Sequence, residues 1–207
     1  MIEFVEYYKN KGHIFGQCMS KTNIDLMYIN IPKNASSWTK PNLLDWDWEF
    51  YNYHNDNLYH KKAIVPLRDP VDRWLSGISE YLFLYHKDLK ISDISTSYLD
   101  LIFDRIAFDD HTEKQSLFLA GLNLSNCIFL YVDNTYRDKF SKLLAYNNMP
   151  NSYHRYEYQY TTDENLVKKN IKEFFSVKIN ENKFYLNTLK SYFANDYHLI
   201  NSVQFYD

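Results

Sequence analysis

Three places in the sequence carry side chains suited to chemistry on an anion or a proton. The first is YINIPKNASSWTK, Tyr28 to Lys40. An apolar run ends at Pro32, and Lys33, Asn34, Ala35, Ser36, Ser37 and Trp38 follow. Backbone N–H groups at the start of a helix attract anions, aided by the helix dipole. Close approach needs small side chains, which Ala35, Ser36 and Ser37 supply, while Lys33 adds a point charge. The same residues also suit a plain strand-to-helix turn with a serine cap. A Walker A loop is excluded, because it needs two glycines and a late lysine. Here the lysine comes first and glycine is missing from the loop.

The second place is PLRDPVDRWLSGISEYL. Arg68 is expected to end a strand, and ligands of open parallel sheets bind outside the carboxyl ends of strands. Ser76 falls on the polar side of the helix that follows. An arginine fork and a hydroxyl suit a phosphate monoester. A capped surface helix, with Arg68 paired to a carboxylate, accounts for the same residues. The third place is DDHTEKQSLFLAGL, where His111 offers a base that titrates near neutral pH. A surface or capping histidine is the plainer reading of any one of 7 histidines.

The elements that must position these residues alternate. Asp25–Ile31, Ala63–Leu67 and Cys127–Asp133 have the apolar runs of buried strands. DWDWEFYNY alternates, with Trp46, Trp48 and Phe50 on one face and Asp45, Asp47 and Glu49 on the other. Those carboxylates are either a rival set of bases or a solvated face, and the tryptophans either sugar platforms or core. Pro66 is an objection to a central strand. Asp69 is a natural N-cap and Pro70 a natural first helical residue. The stripe Val71, Trp74, Leu75, Ile78, Tyr81, Leu82 and Tyr85 predicts an amphipathic helix. Further helices are expected over 97–107, 112–120, 136–147, 163–175 and 185–200, with irregular chain over 149–162. Pro41 lies close behind the first loop, so the helix there is short and kinked or starts near the proline. This order predicts an α/β fold with a central, mainly parallel sheet flanked by helices. We expect one domain over 1–207, with 1–24 as an N-terminal extension and 149–207 as a C-terminal loop and helices packed on it.

Composition narrows the function. The chain has 207 residues, 23 basic and 26 acidic, for a net charge of −3. A nucleic-acid binder carries a basic excess, which is missing here. The first residues lack the basic start and apolar run of a signal peptide. No run of about 18 apolar residues predicts a membrane span. Two distant cysteines, Cys18 and Cys127, suggest neither a disulfide framework nor a metal cluster, and a reducing, cytoplasmic setting is expected. The 20 tyrosines fit a biased genome as well as any function.

A strand ending in P-K-x-x-x-[ST] and a later one ending in R-D-P-x-x-R-x-x-S together resemble the sulfotransferases that use 3′-phosphoadenosine 5′-phosphosulfate (PAPS). DDHTEKQ resembles the H-x-x-P-Q segment of the carbohydrate and heparan-sulfate-type branch, with His111 and Gln115 in register. SYFANDYHLI resembles the closing Y-x-x-D-Y helix, so the likeness runs from about residue 25 to the C-terminus. Lys114 stands where the family often has proline, and Ile78 where an aromatic commonly follows the serine. The resemblance implies a P-loop-NTPase-like fold and metal-independent transfer of a sulfuryl group to an acceptor hydroxyl, of a glycan by the branch resembled. It places the 5′-phosphosulfate on Lys33–Trp38 and the 3′-phosphate on Arg68 and Ser76. Adenosine 3′,5′-bisphosphate is then the product. The base is His111, or a carboxylate among Asp45, Asp47 and Glu49. His154 and Arg155 fall where the family closes over the nucleotide. The alternatives are a P-loop-type nucleotide kinase and a non-catalytic glycan-binding module.

Overall fold

The computed structural model describes residues 15–145 and 160–207. His154, Arg155 and most of the expected irregular stretch lie outside the described residues. Within them the protein is α/β, with one five-stranded sheet and seven α-helices. The residues divide into two compact units, each drawn from separate stretches of sequence.

One unit holds the sheet: β1 (Gln17–Ser20), β2 (Leu26–Ile29), β3 (Glu49–Asn52), β4 (Lys62–Leu67) and β5 (Cys127–Tyr131). Their order is β3-β1-β2-β4-β5. The expected mainly parallel sheet is corrected to a mixed one. β2–β4 and β4–β5 are parallel, but β1 runs antiparallel to both β2 and β3. The cause is the short turn between β1 and β2, which only an antiparallel pair can use. Lys61 holds that turn by donating to the carbonyls of Lys21 and Ile24 at 3.0 and 2.7 Å. From sequence, β1 was hidden inside the stretch read as an N-terminal extension.

Pro66 does sit in a central strand, and the register explains why it is tolerated. The β2–β4 ladder ends at Tyr28 and Ile64, two residues before the proline. Leu67 turns its carbonyl to Val132 beside β5, so alternation turns Pro66 the other way, where Asn34 Nδ2 donates to its carbonyl at 2.8 Å. The missing N–H therefore faces no ladder partner.

Two helices of this unit, α1 (Ser36–Asp45) and α4 (Tyr136–Leu143), share a core with the sheet built on Met19, Tyr28, Leu43, Trp48, Ile64, Leu130, Tyr136 and Phe140. Pro41 lies inside α1, so Ser37 loses its i+4 backbone donor. The alternating strand expected from Asp45 onward starts only at Glu49. Trp48 is buried in the core, whereas Phe50 is 51% exposed, so the three aromatics do not share a face. The C-terminal stretch adds a parallel bridge, Phe129 with Phe205, beside β5.

The other unit is helical: α2 (Pro70–Tyr85), α3 (Thr96–Arg105), α5 (Thr162–Glu181) and α6 (Lys183–Tyr192), with the first turn of α7 (Ala194–Ser202). Asp69 caps α2 by accepting from the Asp72 amide at 2.9 Å, with Pro70 at the first helical position. Trp74, Leu75, Ile78, Tyr81 and Leu82 are buried, as the stripe requires. Trp74 packs on Phe103 and Phe175, and Phe103 stacks on Tyr185 at 4.1 Å.

In the sheet unit, Tyr53 anchors the stretch that follows Gln115. Its buried hydroxyl lies 2.9 and 3.0 Å from the carbonyls of Phe118 and Ala120. Tyr53→Phe should destabilise the protein by roughly 1–3 kcal/mol, because buried acceptors lose their donor. Urea unfolding measures this; an unchanged midpoint would mean that water replaces the phenol at no cost.

Candidate functional site

The loop between β2 and α1 is built without glycine, yet it takes the backbone conformations glycine usually supplies. Lys33 has φ +66° and Ala35 φ +59°. Ile31 accepts from the Asn34 amide at 3.2 Å across Pro32–Lys33. That is the pattern of a type II turn, with proline at its second position and positive φ at its third. Ala35 is the N-cap residue of α1, and no side chain caps the helix. The Ala35 carbonyl accepts from the amides of Trp38 and Thr39, while its methyl side chain has no acceptor to offer those of Ser36 and Ser37. Ser36 is half-buried and Ser37 exposed, both in the first turn. The Trp38 ring is engaged in packing: it meets Tyr136 and Phe140 edge-on, and Arg137 lies 5.4 Å from its centre.

Asn34, between the two strained residues, is fully buried. Its Nδ2 donates to the Pro66 carbonyl and, at 2.6 Å, to Gln115 Oε1. Gln115 is equally buried. Its Oε1 accepts from the Arg68 amide at 3.0 Å and its Nε2 donates to the Arg68 carbonyl at 2.8 Å. The Arg68 guanidinium reaches back to the Lys33 carbonyl at 3.4 Å. Lys33, the loop and Arg68 therefore meet at the carboxyl ends of the parallel pair β2 and β4. From sequence, Gln115 was only a motif position; its role as the tie between loop and strand end comes from the structure.

Ser76 and His111 belong to the helical unit. Ser76 Oγ donates to the Asp72 carbonyl and accepts from Lys172 Nζ, both at 3.1 Å. One turn along, Lys168 lies 3.4 Å from Glu80. α5 thus meets α2 with two lysines at i, i+4 spacing, against two α2 residues at the same spacing. Lys172 was not singled out from sequence, although that spacing was its signal.

His111 stands in a turn fixed from three sides. Its Nδ1 lies 2.8 Å from Asp109 Oδ2 and 3.2 Å from Asp110 Oδ1, and its amide donates to Asp109 Oδ1 at 3.1 Å. Thr112 Oγ1 accepts from the amides of Phe108 and Asp109, at 2.8 and 3.0 Å. The fully buried Arg73 donates to the carbonyls of Asp110, at 2.9 Å, and Glu113. Arg73 is not one of the stripe residues Val71, Trp74, Leu75, Ile78, Tyr81, Leu82 and Tyr85, yet it is buried, because these carbonyls satisfy its fork. Gly77 makes room on the third side, since a Cβ there would stand 2.1 Å from the His111 carbonyl oxygen.

A neutral imidazole donating from Nδ1 to Asp109 carries its lone pair on Nε2. His111 is 26% exposed and Asp109 wholly buried, so the carboxylate orients the ring while the ring keeps access to solvent. Asp109, Asp110 and His111 also place donor atoms within 4.8 Å of one another. Sequence spacing did not single out that grouping.

The rival carboxylates lie elsewhere. Glu49 pairs with Ser20, which pairs with Met27, so Glu49 is level with the start of β2, while the loop follows its end. Asp47 lies 3.4 Å from Lys21, in the turn at that same far end. Asp45 closes α1, away from its loop end. Cys18 and Cys127 are free thiols; burial pushes Cys18 up to about 12 and Cys127 up to about 11. Among the described residues no helix is long and apolar enough to cross a membrane.

Gly77 gives the test of this arrangement. Gly77→Ala should destabilise the protein by about 1–3 kcal/mol, as overpacking against a fixed backbone does. It should also shift the His111 ring signals in NMR. An unmoved unfolding midpoint together with unmoved His111 signals would show that the turn is not held by that contact.

Comparison with protein-family models, with curated proteins and with solved structures gives no match for this chain.

Proposed function

We propose that the protein is a sulfotransferase moving the sulfuryl group of PAPS to an acceptor hydroxyl, of a carbohydrate. The observation that carries this reading is the Lys33 loop: an uncapped helix start, two positive-φ residues and the Arg68 guanidinium on one turn. Backbone donors and fixed cations of this kind suit an anionic leaving group. The resemblance of PKNASS and RDPVDRWLS to the PAPS signature supplies the chemical class. A P-loop-like sulfotransferase fold is the finer fold reading that goes with it, supported by the parallel β2–β4–β5 run and the anion loop after β2. A cytoplasmic setting without a nucleic-acid partner completes the proposal.

PAPS supplies an activated sulfuryl group on a phosphate leaving group. Lys33 and the first N–H groups of α1 would hold that phosphate and stabilise the charge it gains as it leaves. The resemblance assigns the 3′-phosphate to Arg68 and Ser76, and Lys172, bonded to Ser76 at 3.1 Å, would add a cation beside that hydroxyl. The acceptor oxygen forms its bond to sulfur as the sulfur–oxygen bond to the 5′-phosphate breaks. His111 Nε2 would take the acceptor proton, and Asp109, 2.8 Å from its Nδ1, would steady the resulting imidazolium. Lys33, Arg68 and His111 need no metal for these steps.

Adenosine 3′,5′-bisphosphate should raise the melting temperature, as a native-state ligand does. Arg68→Ala and Lys172→Ala should each weaken that shift. Equal stabilisation by ATP, or turnover lost to EDTA and restored by magnesium, would overturn the proposal in favour of a nucleotide kinase.

A second test concerns the base. His111→Ala should leave bisphosphate affinity nearly unchanged and lower turnover of labelled PAPS by roughly 10²–10⁴-fold. Asp109→Asn should lower it too and alter the pH profile. Glu49→Gln and Asp47→Asn should do little, given their place at the far end of β2. Near-normal turnover in His111→Ala would remove the histidine from the mechanism.

A further inference from the structure

The far end of the α2–α5 pair holds a pocket that the proposed chemistry does not use. α5 runs antiparallel to α2, since Lys172 meets Ser76 and Lys168 meets Glu80. The next turns along carry the pocket, of about 220 Å³. Leu82 and Phe83 of α2, Ile91 and Ile94 of the stretch after it, and Val167 and Ile171 of α5 form its walls. It lies wholly in the helical unit. Leu82 stands about 9 Å along α2 from Ser76, at about 1.5 Å per residue.

The local chain leaves this space open. α2 stops at Tyr85, and the chain passes through a 3₁₀ turn at Ile91–Asp93. Leu89, Ile91 and Ile94 pack on the helical core but are only partly buried. Val167, near the start of α5, stays 47% exposed. Aliphatic walls hold water poorly, and cavities of about 150 Å³ with such walls stay dry and admit a benzene ring.

Three polar side chains border the pocket. His86 Nε2 lies 3.4 Å from the Tyr81 hydroxyl, and burial pushes its pKa down, so the ring is neutral near pH 7. The Glu164 carboxylate accepts from the Thr161 amide at 2.7 Å, in the capping box that starts α5. Lys87 is exposed and makes no ion pair or hydrogen bond among the described residues. An ammonium beside an apolar pocket, with the neighbouring carboxylate engaged on a helix cap, complements an anion with an apolar body.

We propose that this pocket binds a small monocarboxylic acid with an apolar body about the size of one ring. The carboxylate meets Lys87, and the body lies between Leu82, Ile94 and Val167. A neutral guest leaves Lys87 unused, and a cation meets like charge. The pocket includes neither Lys33, Arg68 nor His111, so the proposal stands whether or not the protein transfers sulfate.

The test is ligand-observed NMR and thermal unfolding of the full chain with phenylacetate and hexanoate, against phenylacetamide and phenethylamine. At least one acid is expected to bind and to raise the melting temperature, as a native-state ligand does. The amide should bind more weakly, and the amine not at all. Val167→Trp, which fills the mouth from an exposed position, should abolish binding. Lys87→Met should weaken acid binding by about threefold to fivefold, the worth of an exposed ion pair, and leave the amide unchanged. Circular dichroism checks that both variants fold. Failure of both acids to bind, equal binding of phenylacetate and its amide, or acid binding that survives Val167→Trp would each overturn the proposal.

Discussion

The side-chain amide of Gln115 is the constraint on which the Lys33 loop depends. It presents one acceptor to two donors, Asn34 Nδ2 and the Arg68 amide, and one donor to the Arg68 carbonyl. Three bonds from a wholly buried group fix the end of β4 against the loop that follows β2. The β2–β4 ladder itself stops short of this region, at Tyr28 and Ile64. Beyond that point backbone pairing no longer holds the two strand ends together, and the amide takes over. Buried polar groups that are this fully bonded rigidify their surroundings, because any loosening leaves several groups unpaired at once.

The helical unit solves a similar problem with a charge and a gap. Arg73 fixes the His111 turn by its carbonyls, while Gly77 lets that turn approach the helix more closely than a side chain would allow. Asp109 then has a firm base from which to orient the imidazole. Both devices come from the single run RDPVDRWLSG, whose first arginine belongs to the sheet unit and whose remaining residues belong to the helical one. One short motif thus contributes to a strand end, a helix cap, a buried fork and a close backbone contact.

Much of this architecture was legible in the sequence. The three parallel strands, the Asp69–Pro70 helix start and the stripe of α2 follow from apolar period and capping chemistry, and they stand where those signals put them. β1 was not legible, because four residues without a strong alternation look like any connector, and missing it left the sheet too parallel. The strand expected over DWDWEFYNY stands only in its second half, as β3 from Glu49 to Asn52; its first residues close α1 and turn, because the two-residue period ran across the end of a helix. In the candidate site, residue types that bear charge were visible from the start. Asn34 and Gln115 were visible only as motif positions, since an amide's worth depends on which backbone groups it meets. Gly77 and Lys172 were visible in principle, one as a glycine inside a strong helix and the other through its i+4 spacing from Lys168.

The absence of glycine from the Lys33 loop has a physical consequence. Left-handed backbone costs an ordinary residue roughly 1–2 kcal/mol, and the loop contains two such residues on either side of Asn34. Strain of this kind persists only where the surroundings over-determine it. Here Asn34 is the clamp, since its side chain is tied to Pro66 and Gln115 and cannot follow its neighbours into a relaxed conformation. Glycine at Lys33 would relieve the backbone but remove the ammonium, so charge at that position competes directly with local stability. Ala35 makes the same compromise in smaller form: it is the smallest side chain that still restricts the unfolded chain, and it leaves the start of α1 open. The loop thus combines a costly backbone with a side-chain cation and an uncapped helix start, and a bound anion would meet all three features at one place.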